Sequence, residues 1–432
     1  MRDARGARNP RLRPSPTDRS EELSESRRRY LRSTQSHRHA RVLIVGGGAG
    51  GLSVAARLRR ARESRIVVVE PSDVNYYQPA WSLVGAGLVQ LRSTVRPEAK
   101  LIPRGVTWLR TAVTRIDPNA RLAHLANGDQ ISYETLVLAA GIELHWNAIP
   151  GLNEALKTER VSSNYSFDLA EKTWAMIRRI RSGTVVFTRP SGKVKCPSAA
   201  QKIMYLAADY WRRKGYLKNI RIVFITPGER IYDKDEFSDA LDTVAADIGI
   251  EVRTSCELRA IDGENRRISI TDLRSNEVQD LHYDALHVVP PQSAASWIRE
   301  SGLSDPDEPG GWVKVDRLTL QHPDFPEIFA LGDNAGTTNG KTASAVRDQA
   351  PVVAKNVRAV LSGTTAPGRY SGYGACPITI GGRKVFLAEA DYSGKYAPKL
   401  GFRVPKPRYS MWLLKRYGLA PLYWYGMLRG RA

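Results

Sequence analysis

Apolar residues in this chain gather in short unbroken runs separated by stretches of helical period, and that rhythm is the first guide to its fold. Order begins at Arg41 with Val42-Leu43-Ile44-Val45, stopped by Gly46-Gly47-Gly48-Ala49-Gly50-Gly51. An amphipathic helix of Ala, Leu and Arg follows to about Arg62, then Ile66-Val67-Val68-Val69-Glu70. Runs with no polar alternation are what strands covered on both faces require, so this is a parallel βαβ unit. Further strands are predicted at 135–139, 184–188, 221–225, 285–289 and 327–331, with helices over 198–213 and 239–248 between them. Strand–helix alternation over this length predicts two doubly wound sheets. The first is interrupted by the second and resumes at about 285, which gives a first domain of 41–150 plus 285–372 and an inserted domain of 151–284. From Tyr373 the pattern changes: strand-like pieces at 376–380 and 384–388 lead into a basic, aromatic region, 373–432.

Charge changes this picture only at the ends. The formal net charge is +21. Residues 1–40 contribute +6 and residues 392–432, with nine Lys or Arg and no acid, contribute +9. The remaining body carries only +6, so the basicity does not describe a nucleic-acid groove. Residues 1–40, rich in Arg, Ser and Pro with no apolar period, are predicted to be disordered. They lack the apolar core of a signal peptide, and Glu21, Glu22 and Glu25 argue against a transit peptide. No stretch approaches the roughly 20 apolar residues of a membrane-spanning helix. Three cysteines, at 196, 256 and 376, make neither a disulfide scaffold nor a zinc spacing.

Gly46, Gly48 and Gly51 form a G-x-G-x-x-G turn between strand and helix, with Glu70 nineteen residues after Gly51. Glycines let a backbone approach a pyrophosphate seated on the positive helix end, and a carboxylate closing the second strand accepts ribose hydroxyls. Two later segments narrow the ligand to FAD. Leu136-Val137-Leu138-Ala139-Ala140-Gly141 and Ile328-Phe329-Ala330-Leu331-Gly332-Asp333 resemble, in order and spacing, the second and late nucleotide motifs of the flavoproteins with two dinucleotide-binding domains. That resemblance implies an α/β fold of two Rossmann-like domains, with Asp333 on the ribityl chain. Ala140 stands where those proteins usually carry Thr. In relatives that use a nicotinamide, the second domain opens on another glycine fingerprint. Here the strand 184–188 runs into Arg189-Pro190-Ser191-Gly192-Lys193, which has little to cradle a second pyrophosphate.

Something other than a nicotinamide must then reduce the flavin. Cys196 follows Lys195 just before a predicted helix, a setting that favours thiolate, and Cys376 precedes Pro377; Cys256 reads as a small buried residue. The segments around Tyr76-Tyr77-Gln78-Pro79, Cys196 with Gln201-Lys202-Ile203-Met204-Tyr205-Leu206, and Cys376-Pro377 resemble the sulfide:quinone oxidoreductases, on the branch that includes the mitochondrial enzymes. The resemblance implies that Cys196 and Cys376 form a redox-active pair beside FAD, with Gln78 and Lys341 near the flavin. Hydrosulfide would attack Cys376, leaving a persulfide there, and Cys196 would pass the electrons to FAD. The sulfane sulfur would go to glutathione, sulfite or a growing polysulfide, and the electrons to a membrane quinone. A homo-oligomer is among the states it allows.

The last twenty-odd residues, Tyr409 to Leu428, are too apolar for a solvated end and too short and basic to span a bilayer. Aromatics with Lys and Arg suit the headgroup boundary, so a peripheral membrane protein is expected, on the cytoplasmic face of a bacterial membrane by preference and on the mitochondrial inner membrane as the alternative. Packing of this tail on the protein's own core is the competing expectation. Two other functions stay open on sequence alone: a type II NADH:quinone oxidoreductase, and a non-catalytic flavin-bound sulfur sensor.

Overall fold

The computed structural model describes residues 38–232, 235–399, 401 and 406–432. The disorder expected of residues 1–40 falls outside it for 1–37; Arg38, His39 and Ala40 already belong to the first strand. In chain order the first domain is built from β1 (Arg38–Val45), α1 (Ala49–Arg60), β2 (Ile66–Val69), β3 (Val74–Tyr76), β4 (Val95–Pro97), β5 (Thr107–Leu109), β6 (Val113–Asp117), β7 (Leu122–Leu125) and β8 (Gln130–Leu138). The main sheet runs β5-β2-β1-β8-β7-β6, parallel from β5 through β8 and antiparallel beyond. Val42, Leu43 and Ile44 are fully buried. Both faces are therefore covered, as the unbroken apolar runs required: Val42 and Ile44 pack with Leu52, Ala55 and Leu58 of α1, and Leu43 and Val45 with Ile116, Leu125, Ile298 and Trp312. Beside the sheet, β3 and β4 form a small hairpin with Asn75 opposite Arg96.

The inserted domain holds β9 (Val161–Ser162), β10 (Gly183–Thr188), α2 (Ala199–Arg213), β11 (Ile220–Ile225), β12 (Ile250–Arg253) and β13 (Ala285–His287). These strands make a second parallel sheet in the order β9-β13-β10-β11-β12. The structure corrects one boundary here. The strand at 285, expected to return to the first sheet, pairs with β9 and β10 in the second. The crossing comes slightly later, where Gln292–Ser293 runs antiparallel to the outgoing Glu143–Leu144. The first sheet resumes only at β14 (Ile328–Ala330), which lies on β8. Helix α3 (Ala343–Leu361) then packs Val346, Ala350, Val353 and Val357 into the same core as Leu52, Ala55 and Leu58 of α1. Its N-terminus is capped by Thr342, whose hydroxyl accepts from the Ala345 N–H.

A hairpin of β15 (Gly374–Thr379) and β16 (Val385–Ala390) comes next, close to the two predicted pieces. The tail, 409–429, is a chain of short helical turns. It does not trail away from the body. Met411 and Trp412 join the core that includes Ile203 of α2 and Phe386 of β16. Tyr423, Trp424, Met427 and Leu428 join the core of α1 and α3. What remains outside is a row at every fourth position, Tyr409, Leu413 and Tyr417, with Tyr425 further along; these are 52%, 41%, 65% and 58% exposed. No helix among the described residues is long and apolar enough to cross a membrane.

Candidate active site

One large cavity, about 610 Å³, runs from the glycine turn after β1, past the two cysteines, to the tail. Its nucleotide end is shaped by geometry that only glycine meets. Gly46 sits at φ +103. At Gly51 a Cβ would stand 1.8 Å from the Gly46 carbonyl oxygen, which is why α1 can leave the strand so closely. A Cβ on Gly48 would meet nothing within 4 Å, and neither would one on Gly141. Both backbones thus lie open to the cavity, as a pyrophosphate and a ring system would need. Glu70 accepts hydrogen bonds from the Gly47 N–H and the Ser72 N–H, each at 2.7 Å. Gln78, Ala140, Asp333 and Lys341 line the same cavity. Seven of the nine cofactor positions expected from the sequence thus line one cavity, Gly46 and Gly51 shape the turn behind it, and the open backbone and donor set fit a dinucleotide such as FAD.

Two lysines stand beside it, Lys341 buried and Lys195 half-buried. Lys195 donates to Gln78 Oε1 at 2.8 Å, and burial lowers its pKa to about 8. Lys341 donates to the carbonyl oxygens of Asp333 (2.5 Å) and Ala335 (3.1 Å), with its ammonium 3.7 Å from the Trp312 ring centre. Burial takes its pKa down to about 7, against the pull of Asp333. Asp333 in turn is raised by burial, opposed by Lys341 and Lys195.

Cys196 and Cys376, 180 residues apart in sequence, meet with their sulfurs 3.6 Å apart. Cys196 lies in the loop before α2 at φ +43, a left-handed backbone that a side chain rarely adopts. Three hydrogen bonds hold it there. Its N–H donates to the Lys341 carbonyl (2.8 Å), and its own carbonyl accepts from the Ala199 N–H (2.8 Å) and the Tyr165 hydroxyl (3.0 Å). Such over-determined strain is characteristic of working sites. Cys376 is presented by β15. The third cysteine, Cys256, is buried at the start of a separate antiparallel strand, in the structural class expected of it.

Two lysines that no expectation from the sequence singled out complete the site. Lys202, on the first turns of α2, is 3% exposed and donates to Cys196 Sγ (2.9 Å) and Cys376 Sγ (3.2 Å). Ser198 lies 2.7 Å from Cys376 Sγ. A hydrogen bond from Cys196 holds Cys376 well below the usual thiol range, with Lys202 and Ser198 helping against burial. The same bond and burial push Cys196 upward, so the pair shares one negative charge beside Lys202. For Lys202, burial favours the neutral amine, but the two sulfurs outweigh it and its pKa rises. Lys415, from the tail, also lines the cavity; burial and then the charge of Lys202 lower its pKa to about 7. The signal for Lys202 was present: a lysine on the helical face it shares with Ser198, in a run whose neighbours Ile203, Met204 and Leu206 are apolar. Lys415 gave no such signal, because in a basic tail one more cation looks like part of a solvated face.

At the second domain, Arg189 and Pro190 are buried where β10 ends, and α2 starts only at Ala199. No helix N-terminus therefore opens directly on that strand end.

Residues 40–186 match the family model described as pyridine nucleotide-disulphide oxidoreductase. The chain is 37% identical to the mitochondrial sulfide:quinone oxidoreductase of Dictyostelium discoideum over 94% of this chain and 89% of that protein. With the Mus musculus protein of the same name the identity is 36%, over 91% and 87%. Among solved structures, the sulfide:quinone oxidoreductase of Aquifex aeolicus superposes with a TM-score of 0.77 at 19% identity, covering 91% of this chain and 92% of that one.

Proposed function

The chain belongs to the sulfide:quinone oxidoreductase family, and on that footing we propose that Cys376 takes the sulfide sulfur while Cys196 and Lys202 manage the electrons. It is an FAD-dependent oxidoreductase that draws electrons from sulfide and delivers them to quinone. The observation that carries the residue assignment is the pair of sulfurs 3.6 Å apart with one lysine ammonium on both. From 3.6 Å the sulfurs need close by only about 1.5 Å to form a disulfide, whose S–S length is about 2.05 Å.

In the disulfide form, hydrosulfide attacks Cys376 Sγ. The S–S bond breaks, Cys376 carries a persulfide, and Cys196 leaves as a thiolate beside Lys202. Exchange of this kind is fast when the leaving thiolate is stabilised, which the ammonium does. A second nucleophile, such as the glutathione thiolate or sulfite, then attacks the outer sulfur, breaks the persulfide S–S bond and carries that sulfur off. The thiolate so released on Cys376 is held by Lys202 and Ser198. The two thiolates rejoin and give up two electrons, so hydrosulfide and the acceptor become a sulfane-sulfur product (a persulfide from a thiolate, thiosulfate from sulfite), a proton and an electron pair. When bound, FAD would supply the two-electron acceptor for that pair and the link to quinone. Gly46, Gly48, Gly51, Glu70, Gln78, Ala140, Gly141, Asp333 and Lys341 are the residues that would hold it.

The tail supports a membrane-surface reading. Its inner side lines the cavity through Met411, Leu414, Leu419, Leu422 and Met427, and its outer side carries the aromatic row. An apolar quinone would enter between the two from the headgroup region. This makes the protein a peripheral membrane protein, at the cytoplasmic face of a bacterial membrane or at the mitochondrial inner membrane.

Cys196→Ser and Cys376→Ser are each expected to retain FAD and its visible flavin absorption band while losing the bleaching that sulfide causes anaerobically. Wild-type bleaching in either variant overturns the mechanism.

A further inference from the structure

Asn75 belongs to none of the sequence motifs, yet it stands at a junction in the structure. It is 4% exposed, and its polar atoms reach three different parts of the molecule. Its Nδ2 donates to the Gly47 carbonyl (2.9 Å), inside the glycine turn, and to Glu98 Oε2 (3.1 Å). Its Oδ1 accepts from the Tyr423 hydroxyl (2.8 Å), which belongs to the tail. The Gly47 carbonyl can only accept, which fixes the amide with Nδ2 toward Gly47 and leaves Oδ1 to be anchored by the Tyr423 hydroxyl. The Gly47 peptide is thereby gripped on both sides, by Asn75 at its carbonyl and by Glu70 at its N–H. Opposite Asn75 in the β3–β4 hairpin, Arg96 lies 5.0 Å from the Trp424 ring and 5.5 Å from the Tyr425 ring. Tyr423 itself packs on Tyr77, with ring centres 5.1 Å apart. The remaining oxygen of Glu98, Oε1, is buried without a partner and stands where a Cβ on Gly47 would meet it at 2.5 Å.

We propose that Asn75 is a positioning residue that couples the seating of the C-terminal tail to retention of the dinucleotide, through the chain Tyr423–Asn75–Gly47. This rests on the FAD reading above. With the tail seated, the glycine turn is held in the conformation that receives the pyrophosphate. With the tail displaced, Asn75 Oδ1 loses the hydroxyl that anchors it, and the Gly47 carbonyl faces a donor no longer held in place. The two ends of the cavity, the adenosine end and the membrane end, then report on one another.

The test is FAD release from the purified full-length holoprotein, followed by the fluorescence of free flavin after dilution. Tyr423→Phe removes one hydroxyl and keeps the ring packing. It is expected to speed release about tenfold, the loss of roughly one hydrogen bond, with the unfolding midpoint of flavin-stripped protein little changed. Asn75→Ala is expected to do the same or more, and the double variant to release no faster than Asn75→Ala alone, because both act through one bond. Release at the wild-type rate in Tyr423→Phe overturns the proposal, as does an effect of the two changes that simply multiplies. Should Asn75→Ala fail to fold, Tyr423→Phe alone decides. A wild-type protein that neither carries nor takes up FAD overturns the underlying FAD reading instead, and is told apart by its missing yellow colour.

Discussion

Lys202 shows most clearly what a single side chain can impose on this site. Buried between two sulfurs, it is stabilised as a cation only while at least one of them is a thiolate, and each thiolate is stabilised only while Lys202 is charged. Hydrogen bonds to charged groups are worth about 1.5–3 kcal/mol, or about 10- to 100-fold in rate if lost in the transition state. Lys202→Met is therefore expected to slow anaerobic sulfide reduction of the flavin by about that factor while FAD stays bound. Its rate should recover as pH rises, because the thiols must then ionise without help; stopped-flow bleaching against pH measures this. The two cysteines were legible in the sequence because they stand in recognisable segments. Lys202 stands in the same segment as Cys196, but its role depends on Cys376, 174 residues away, and so shows only in the folded chain. Glu98 gives a second expectation with a definite sign. Burial raises its carboxyl from 4.5 to about 7, with Asn75 pulling the other way. The folded protein thus binds this proton more tightly than the unfolded chain. The stability that Glu98 allows is fully present below pH 4.5 and is lost as pH climbs through about 7, by about 3 kcal/mol at most at about 1.4 kcal/mol per unit. Denaturant unfolding of flavin-stripped protein at mildly acidic and mildly alkaline pH should show that loss in the wild type and not in Glu98→Gln.

Strands and helices were read well wherever burial alone decides them. The runs at 42–45, 66–69, 184–188 and 221–225 are strands, and the helix expected over 198–213 spans Ala199–Arg213. What local pattern could not assign was the partner. The strand at 285 is apolar on both faces in either sheet, so nothing in its own residues says which neighbours it takes. The tail posed the same problem, because its aromatics serve two surfaces at once. Tyr423, Trp424, Met427 and Leu428 close a core, so deleting the tail would expose that core as well as remove any anchor. Point changes separate the two effects. Replacing Leu413 and Tyr417, which face outward, by Ser is expected to leave FAD content and the unfolding midpoint near wild type while weakening sedimentation with anionic-lipid vesicles several-fold. Unchanged vesicle binding would count against the membrane surface lying there.

As a whole molecule, the protein is two similar sheets put to unlike uses, and the difference lies in the segment that leaves one strand of each. After β1 come glycines and, within four residues, the N-terminus of α1, so phosphates meet open backbone and a positive helix end. After β10 come buried Arg189 and Pro190, a loop to Cys196, and only then α2, so the same place in the second sheet delivers a thiol and a lysine to the cavity. Where a nicotinamide domain would present a second cradle, this chain presents its cysteine. The basic tail belongs to the same division, since its inner residues line the cavity while its outer side carries the exposed aromatic row. The consequence is a choice of electron donor that one cuvette can read. Under anaerobic conditions, sulfide is expected to bleach the bound flavin within the mixing experiment. NADH in large excess should leave the flavin band in place over the same time. Adding a short-chain quinone to the sulfide-reduced protein should restore the band. Bleaching by NADH would mean that the Arg189–Lys193 turn does cradle a pyrophosphate. Bleaching by sulfide with no return on adding quinone would describe a sulfur sensor in place of an enzyme.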